Sequence, residues 1–320
     1  MVPARTMMAF KKSTFTVLAI ALVCAACQQS PPPSKAVDDT MDQAAFVKQQ
    51  QDWRAERLAG LEKPDGWASL IGLHGLAPGA HRLGSATDNG IRLAMGPAHL
   101  GVLTIKPDAI TFVPEKGVQV SIDDAPVQGS SPIHDDTQPG GPSNISFDDG
   151  KGVATVIVRA GSHRLRVKHA DADTRLHFAG LDYWPADKDW QVKARFIPNP
   201  PGKTMPIANI IGSIDEMTNP GVLEFERGGK TFRLEALDEG EGTLFLVFAD
   251  RTNGQGSYGA GRFIDAARPD AQGNVLIDFN QAYNPPCAFT PFATCPLPPP
   301  ENRLDLAVEA GEKSYAKSEH

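Results

Sequence analysis

Basic charge is what this 320-residue sequence has too little of to hold nucleic acid: 31 Lys and Arg stand against 38 Asp and Glu, for a net charge of −7. Neutralising a phosphate backbone needs a clustered basic surface, so the composition argues against nucleic acid as a partner. Long apolar runs are missing too. The stretch at residues 17–23 is the most apolar in the chain, and it is too short for a stable bilayer anchor. Cysteine is scarce, with four in the whole chain. No Cys-x-x-Cys or His-x-x-x-His lies beside Cys287 or Cys295, so a metal there lacks its other ligands and none is expected. Gly-x-Ser-x-Gly, His-Glu-x-x-His and phosphate-loop signatures are absent, which removes the hydrolases and nucleotide enzymes that depend on them. No cofactor follows from what remains.

What is present begins with an export signal. Lys11 and Lys12 precede the apolar Val17–Val23 run, and Cys24-Ala25-Ala26-Cys27 ends it with small residues before a thiol. That order reads as a lipoprotein signal over 1–27 with the lipid on Cys27, although Cys24 stands where Leu is commonest. Simple cleavage after Ala26 is the alternative. Residues 28–38 are polar and proline-rich, unable to bury enough surface to fold, and read as a tether. Gln28 replaces the Asp that often retains such proteins in the inner membrane. The expected address is therefore the periplasmic face of the outer membrane, with the membrane reached through the lipid.

The rest, about 280 residues, is long enough for one large or two smaller cores. Gly 30 and Pro 27 punctuate it at short intervals, the pattern of many short strands joined by turns. The expected fold is mainly β, an antiparallel barrel- or sandwich-like arrangement of two packed β subdomains (63–175 and 176–320) behind one N-terminal helix (39–62). Phe46, Trp53, Leu58 and Leu61 give that helix an imperfect apolar stripe, Asp39 or Thr40 would cap it, and Gly60 with Pro64 marks its end. Strands are expected at 91–93, 101–105, 109–113, 118–122, 153–159 and 163–169, then at 191–197, 207–214, 222–227, 230–236, 243–249 and 274–278. Gly228-Gly229 is a hairpin signal. Residues 128–150 read as a long polar loop or lid.

The most distinctive residues lie in 258–312: Tyr258-Gly259-Ala260-Gly261-Arg262-Phe263, then Asp278-Phe279-Asn280 and Tyr283-Asn284-Pro285-Pro286-Cys287-Ala288-Phe289. Thr294-Cys295-Pro296-Leu297-Pro298-Pro299 and Glu301-Asn302-Arg303-Leu304 follow. With Gly66-Trp67-Ala68-Ser69-Leu70-Ile71-Gly72-Leu73-His74 upstream, this text resembles the DUF1684 family of bacterial proteins, over roughly residues 50–315. That resemblance implies no activity and no catalytic residue. Physically, the prolines make the C-terminal stretch rigid and extended, as in a built site or a cap over a barrel end.

Several constellations in it invite chemistry. In an exported protein Cys287 and Cys295 read first as a disulfide, with a metal site or a Cys287 nucleophile based on His74 as alternatives. Gly254-x-Gly256-x-x-Gly259 lacks the crossover helix of a dinucleotide site and reads as a β turn. His134-Asp135-Asp136 and His169-x-Asp171-x-Asp173 read as solvated loop charges, and Arg164, Arg166 and Lys168 near Arg159 as a wet strand face, with anion binding as the alternative. The leading expectation is a pocket for a small polar ligand where the C-terminal loops meet Trp67–His74. It would be built from Trp67, His74, Arg262, Asp278, Asn280, Tyr283, Asn284, Glu301 and Asn302, with Phe289 as apolar contact. A hydrolase or transferase using Cys287, or Asp278 with Glu301, is the second reading, and a structural envelope protein the third.

Overall fold

Alternation along Arg164-Leu165-Arg166-Val167-Lys168 puts Leu165 and Val167 in the core and the three cations on the opposite face, as period-2 side-chain geometry requires. The computed structural model describes residues 43–316. The signal, the tether, Cys27 and the Asp39 or Thr40 cap lie outside them. Helix α1 (Gln43–Leu61) comes first. Its inward stripe explains the broken apolar pattern: Phe46 and Leu61 are buried, but so is Gln50, and Arg54 and Arg57 sit half-buried between them.

Eleven strands follow: β1 (Leu70–Gly75), β2 (Gly79–Gly84), β3 (Ile91–Arg92), β4 (Gly101–Lys106), β5 (Ala109–Pro114), β6 (Val120–Ile122), β7 (Ala125–Val127), β8 (Ser131–Ile133), β9 (Ile145–Phe147), β10 (Gly152–Arg159) and β11 (Ser162–His169). They form two sheets, in the orders β3-β2-β4-β5-β8 and β1-β11-β10-β9-β6-β7. Leu83, Leu103 and Phe112 from the first pack with Val156, Leu165 and Val167 from the second in one sandwich core. The 128–150 segment is not one loop, because it supplies β8 and β9. Pro132 hid β8 from a propensity reading. It is tolerated because β8 is an edge strand.

After a short helix α2 (Asp173–Leu176), the chain forms β12 (Gln191–Pro198), β13 (Thr204–Ala208), β14 (Ile214–Arg227), β15 (Lys230–Asp238), β16 (Leu244–Phe248), β17 (Arg262–Ala266) and β18 (Asn274–Asp278). The order is β17-β16-β15-β14-β12-β18, with β13 paired to β14, and contacts between β17 and β18 bend the sheet into a half-barrel. Gly228 and Gly229 both have positive φ, 57° and 72°, as the tight β14–β15 turn requires. The expected strand at 207–214 is instead the end of β13, a turn over 209–213 and the first residue of β14. Pro206 masks the start of β13, again an edge strand.

Phe225, Phe248 and Phe279 fill the half-barrel, and Leu304, Val308 and Ala310 from the C-terminal segment close it. No helix among the described residues is long and apolar enough to cross a membrane.

Candidate functional site

Most of the expected ligand residues are structural. Arg262 is fully buried and donates to Asp250 and to the Val308 carbonyl, both at 2.8 Å, and to the Ala310 carbonyl. Asn302 donates to the carbonyls of Glu235 and Val247 at 2.9 Å and accepts from the Glu235 N–H at 2.7 Å. Asn280 exchanges two bonds of 2.9 Å with the Asp187 backbone. Asp278 accepts from Gln50 at 2.7 Å and Gln191 at 2.9 Å. Asn284 donates to the Lys313 carbonyl and, from its backbone, to Glu312, both at 2.7 Å. Such side chains satisfy buried polar groups that no sheet partner reaches.

The remaining expected residues separate in the same way. Glu301 is exposed, and Phe289 is buried against Phe178 and Tyr315. His74, opposite Leu165 in β1, has a buried Nε2 without a partner, and desolvation holds its pKa below the usual value. The pocket expected on these residues is therefore corrected: Trp67 and Tyr283 alone among them line the cleft described next.

That cleft, about 730 Å³, opens between the sandwich and the half-barrel. The sandwich contributes Arg166 from β11, Arg159 from β10, Asp136 and Trp67. The half-barrel contributes Phe245, Phe263, Asp265, Glu239 and Glu241. Tyr283, Thr294 and Cys295 come from the C-terminal loop, and Arg57 comes from α1. So the distinctive C-terminal residues do reach a cavity, but through Tyr283 and the Thr294-Cys295 pair.

Charges on the walls are unevenly matched. Arg57 pairs with buried Glu312 at 2.9 Å and lies over the Tyr283 ring at 4.6 Å. Arg159 pairs with Asp136 at 2.6 Å, and Asp136 also accepts from the Val158 N–H at 2.7 Å. Arg166 donates to the Thr294 hydroxyl at 3.3 Å and sits 5.3 Å from the centre of the Trp67 ring, which Lys168 also faces at 5.4 Å. Its Nε is buried without a partner. Burial, then the charge of Arg159, lowers its pKa to about 10.

Across the cleft, Glu239 is raised to about 6 by desolvation and by Asp265 and Glu241. Asp265, which accepts from the Tyr283 hydroxyl at 2.8 Å, is raised by desolvation. The strand cations read as a wet face are thus partly a cleft wall. Of the expected solvated loop charges, His134 and Asp173 are exposed, whereas Asp135 is buried and accepts from Thr137, and buried His169 meets Asp148 at 3.0 Å.

Cys287 and Cys295 are two buried free thiols, which corrects the disulfide reading. The Cys287 N–H donates to Cys295 Sγ at 3.2 Å. Hydrogen bonding to Cys295 holds the Cys287 thiol below its usual value, but neither Cys287 nor His74 is on the cleft wall. Cys295, which is, has its thiol pushed up by burial, so the cleft presents no thiolate nucleophile with His74 as base. Gly254, Gly256 and Gly259 form a turn that enters β17 and not a helix, as the dinucleotide fingerprint would need.

A family model described as "Protein of unknown function (DUF1684)" matches residues 176–313. The match covers the half-barrel and C-terminal loop, a narrower span than 50–315, and leaves the Trp67–His74 segment outside. The solution NMR structure of an uncharacterized protein from Haloarcula marismortui is 31% identical, covering 45% of this chain and 80% of that one, with a TM-score of 0.38. No curated protein matches the chain.

Proposed function

Because this chain belongs to the DUF1684 family, described as a protein of unknown function, we propose its role from its own cleft: an exported, lipid-anchored protein that holds a small polar molecule. The observation that carries this reading is the cleft of about 730 Å³, in the size range of small-molecule sites, with aromatic side chains and incompletely paired charges on its walls. Arg262, by contrast, has a carboxylate partner in Asp250. Lipid anchoring is supported by Lys11 and Lys12, the apolar 17–23 run and the small residues before Cys27.

Two measurements test the two parts. Native mass spectrometry of the chain purified from cells should show added mass of a small molecule that denaturation releases. A bare mass under gentle desorption speaks against a resident ligand. Cys27→Ser should move the protein from the membrane to the soluble fraction, and persistence in the membrane would remove the anchor. An acid–base enzyme is the second reading, favoured by two carboxyls with raised pKa, Glu239 and Asp265, on one wall. Neither Asp278 nor Glu301, the pair expected for that chemistry, lines the cleft.

A further inference from the structure

Among the described residues lining the cleft, three are arginines, and two have carboxylates within ion-pair distance: Glu312 for Arg57 and Asp136 for Arg159. Arg166 has none. Its nearest polar partner is a neutral hydroxyl, Thr294, and its Nε is buried with nothing to donate to. Arg159 and Lys168 beside it are positive, and Asp136, the carboxylate on the same wall that acts on it, is already paired with Arg159. A guanidinium in that position is costly, because it has lost water without gaining an anion. An oxyanion entering the cleft would supply what is missing: a planar acceptor for a planar fork of donors.

The rest of the cleft limits what carries that oxyanion. Trp67, Phe245, Phe263 and Tyr283 offer apolar surface beside it, and the cavity has room for far more than a single anionic group. The wall formed by Glu239, Glu241 and Asp265 is acidic, so every further negative charge on the ligand would be opposed. We propose that Arg166, with Thr294 beside it and Trp67 against it, anchors the carboxylate of a small, singly charged organic acid. This rests on reading the cleft as a small-molecule site.

The test uses the full chain purified in detergent and two matched pairs of probes, benzoate with benzamide and hexanoate with hexanamide, titrated by calorimetry. Each carboxylate should bind about ten-fold or more tightly than its amide, the difference expected of a charge-assisted bond over a neutral one. Arg166→Gln should abolish that preference, and Thr294→Val should reduce it. The threonine variant keeps the strand and its arginine, so it decides the matter if Arg166→Gln fails to fold.

Equal binding within each pair, or a preference for the amides, overturns the carboxylate assignment and leaves the small-molecule reading standing. Binding of none of the four also overturns it. In that case the co-purified mass seen in native spectrometry decides separately whether the cleft holds a small molecule at all.

Discussion

Gln50 on helix α1 donates to the Asp278 carboxylate at 2.7 Å, across 228 residues of chain. With the Arg57–Glu312 pair, this bond fastens α1 to the half-barrel and its C-terminal segment. Arg57 also lines the cleft, so the helix is part of the wall and not an ornament on it.

Gln50→Leu should therefore destabilise the whole molecule. The substitution keeps helix propensity but leaves Asp278 short of one buried donor, which costs about 1–3 kcal/mol. Urea unfolding followed by tryptophan fluorescence measures it. A midpoint unchanged from wild type would mean that the helix docks through Phe46, Leu61 and the Arg57–Glu312 pair, without help from Gln50.

Arg262 and Asp250 make the sharper stability prediction. Both side chains are fully buried, and the guanidinium also holds the carbonyls of Val308 and Ala310. Asp250→Asn leaves the arginine with an uncompensated charge, and breaking such a pair typically costs about 3–5 kcal/mol. Guanidinium denaturation should show the loss, and limited proteolysis should show earlier cleavage in residues 304–316, the segment the arginine holds. Protection there equal to wild type would contradict the role assigned to the pair.

The contrast between Arg262 and Arg166 also shows what was legible in the sequence. Both sit in strands, but Arg262 reads as a ligand group and Arg166 as part of a wet strand face, with anion binding as the alternative. Nothing local shows which of them is paired, because Asp250 lies 12 residues before Arg262 and comes beside it only when β16 and β17 pair. The strands themselves were legible where β-branched runs alternate, as in β10, β11 and the second half of β14. They were hidden where an edge strand tolerates proline, as at Pro132 and Pro206. The Pro-rich C-terminal text was conspicuous for a structural reason: its Asn and Arg side chains replace sheet hydrogen bonds and cap the half-barrel. Glu239 and Asp265 carried no local signal, since a turn and a neighbouring strand bring them together.

Cys287 and Cys295 give a direct check of the packing beneath the cleft. Both are buried as free thiols, so iodoacetamide should label the reduced, folded chain without its signal slowly. In denaturant the same chain should take two labels. A folded chain two mass units lighter that accepts no label after unfolding would restore the disulfide.

Glu239, an exposed carboxyl on the cleft wall beside Asp265, gives a pH prediction. Its carboxyl is raised from the ordinary glutamate value of 4.5 to about 6, by desolvation first and then by the charges of Asp265 and Glu241, with Arg159 acting in the opposite direction. A raised carboxyl binds its proton more tightly in the folded state. Its favourable contribution is therefore complete below the unfolded pKa and is lost as pH rises through the folded value. Glu239→Gln removes that charge and should be more stable than wild type at pH 7, with the two converging below about pH 4.5. Urea midpoints for both proteins from pH 4.5 to 7.5 measure the difference. The same protonation takes a negative charge off the wall facing Arg166, so benzoate affinity should rise as pH falls from 7 towards 5.5 in wild type and stay flatter in Glu239→Gln. Parallel profiles in the two proteins would mean that Glu239 does not feel the anion, and that the carboxylate, if held, lies elsewhere in the cleft.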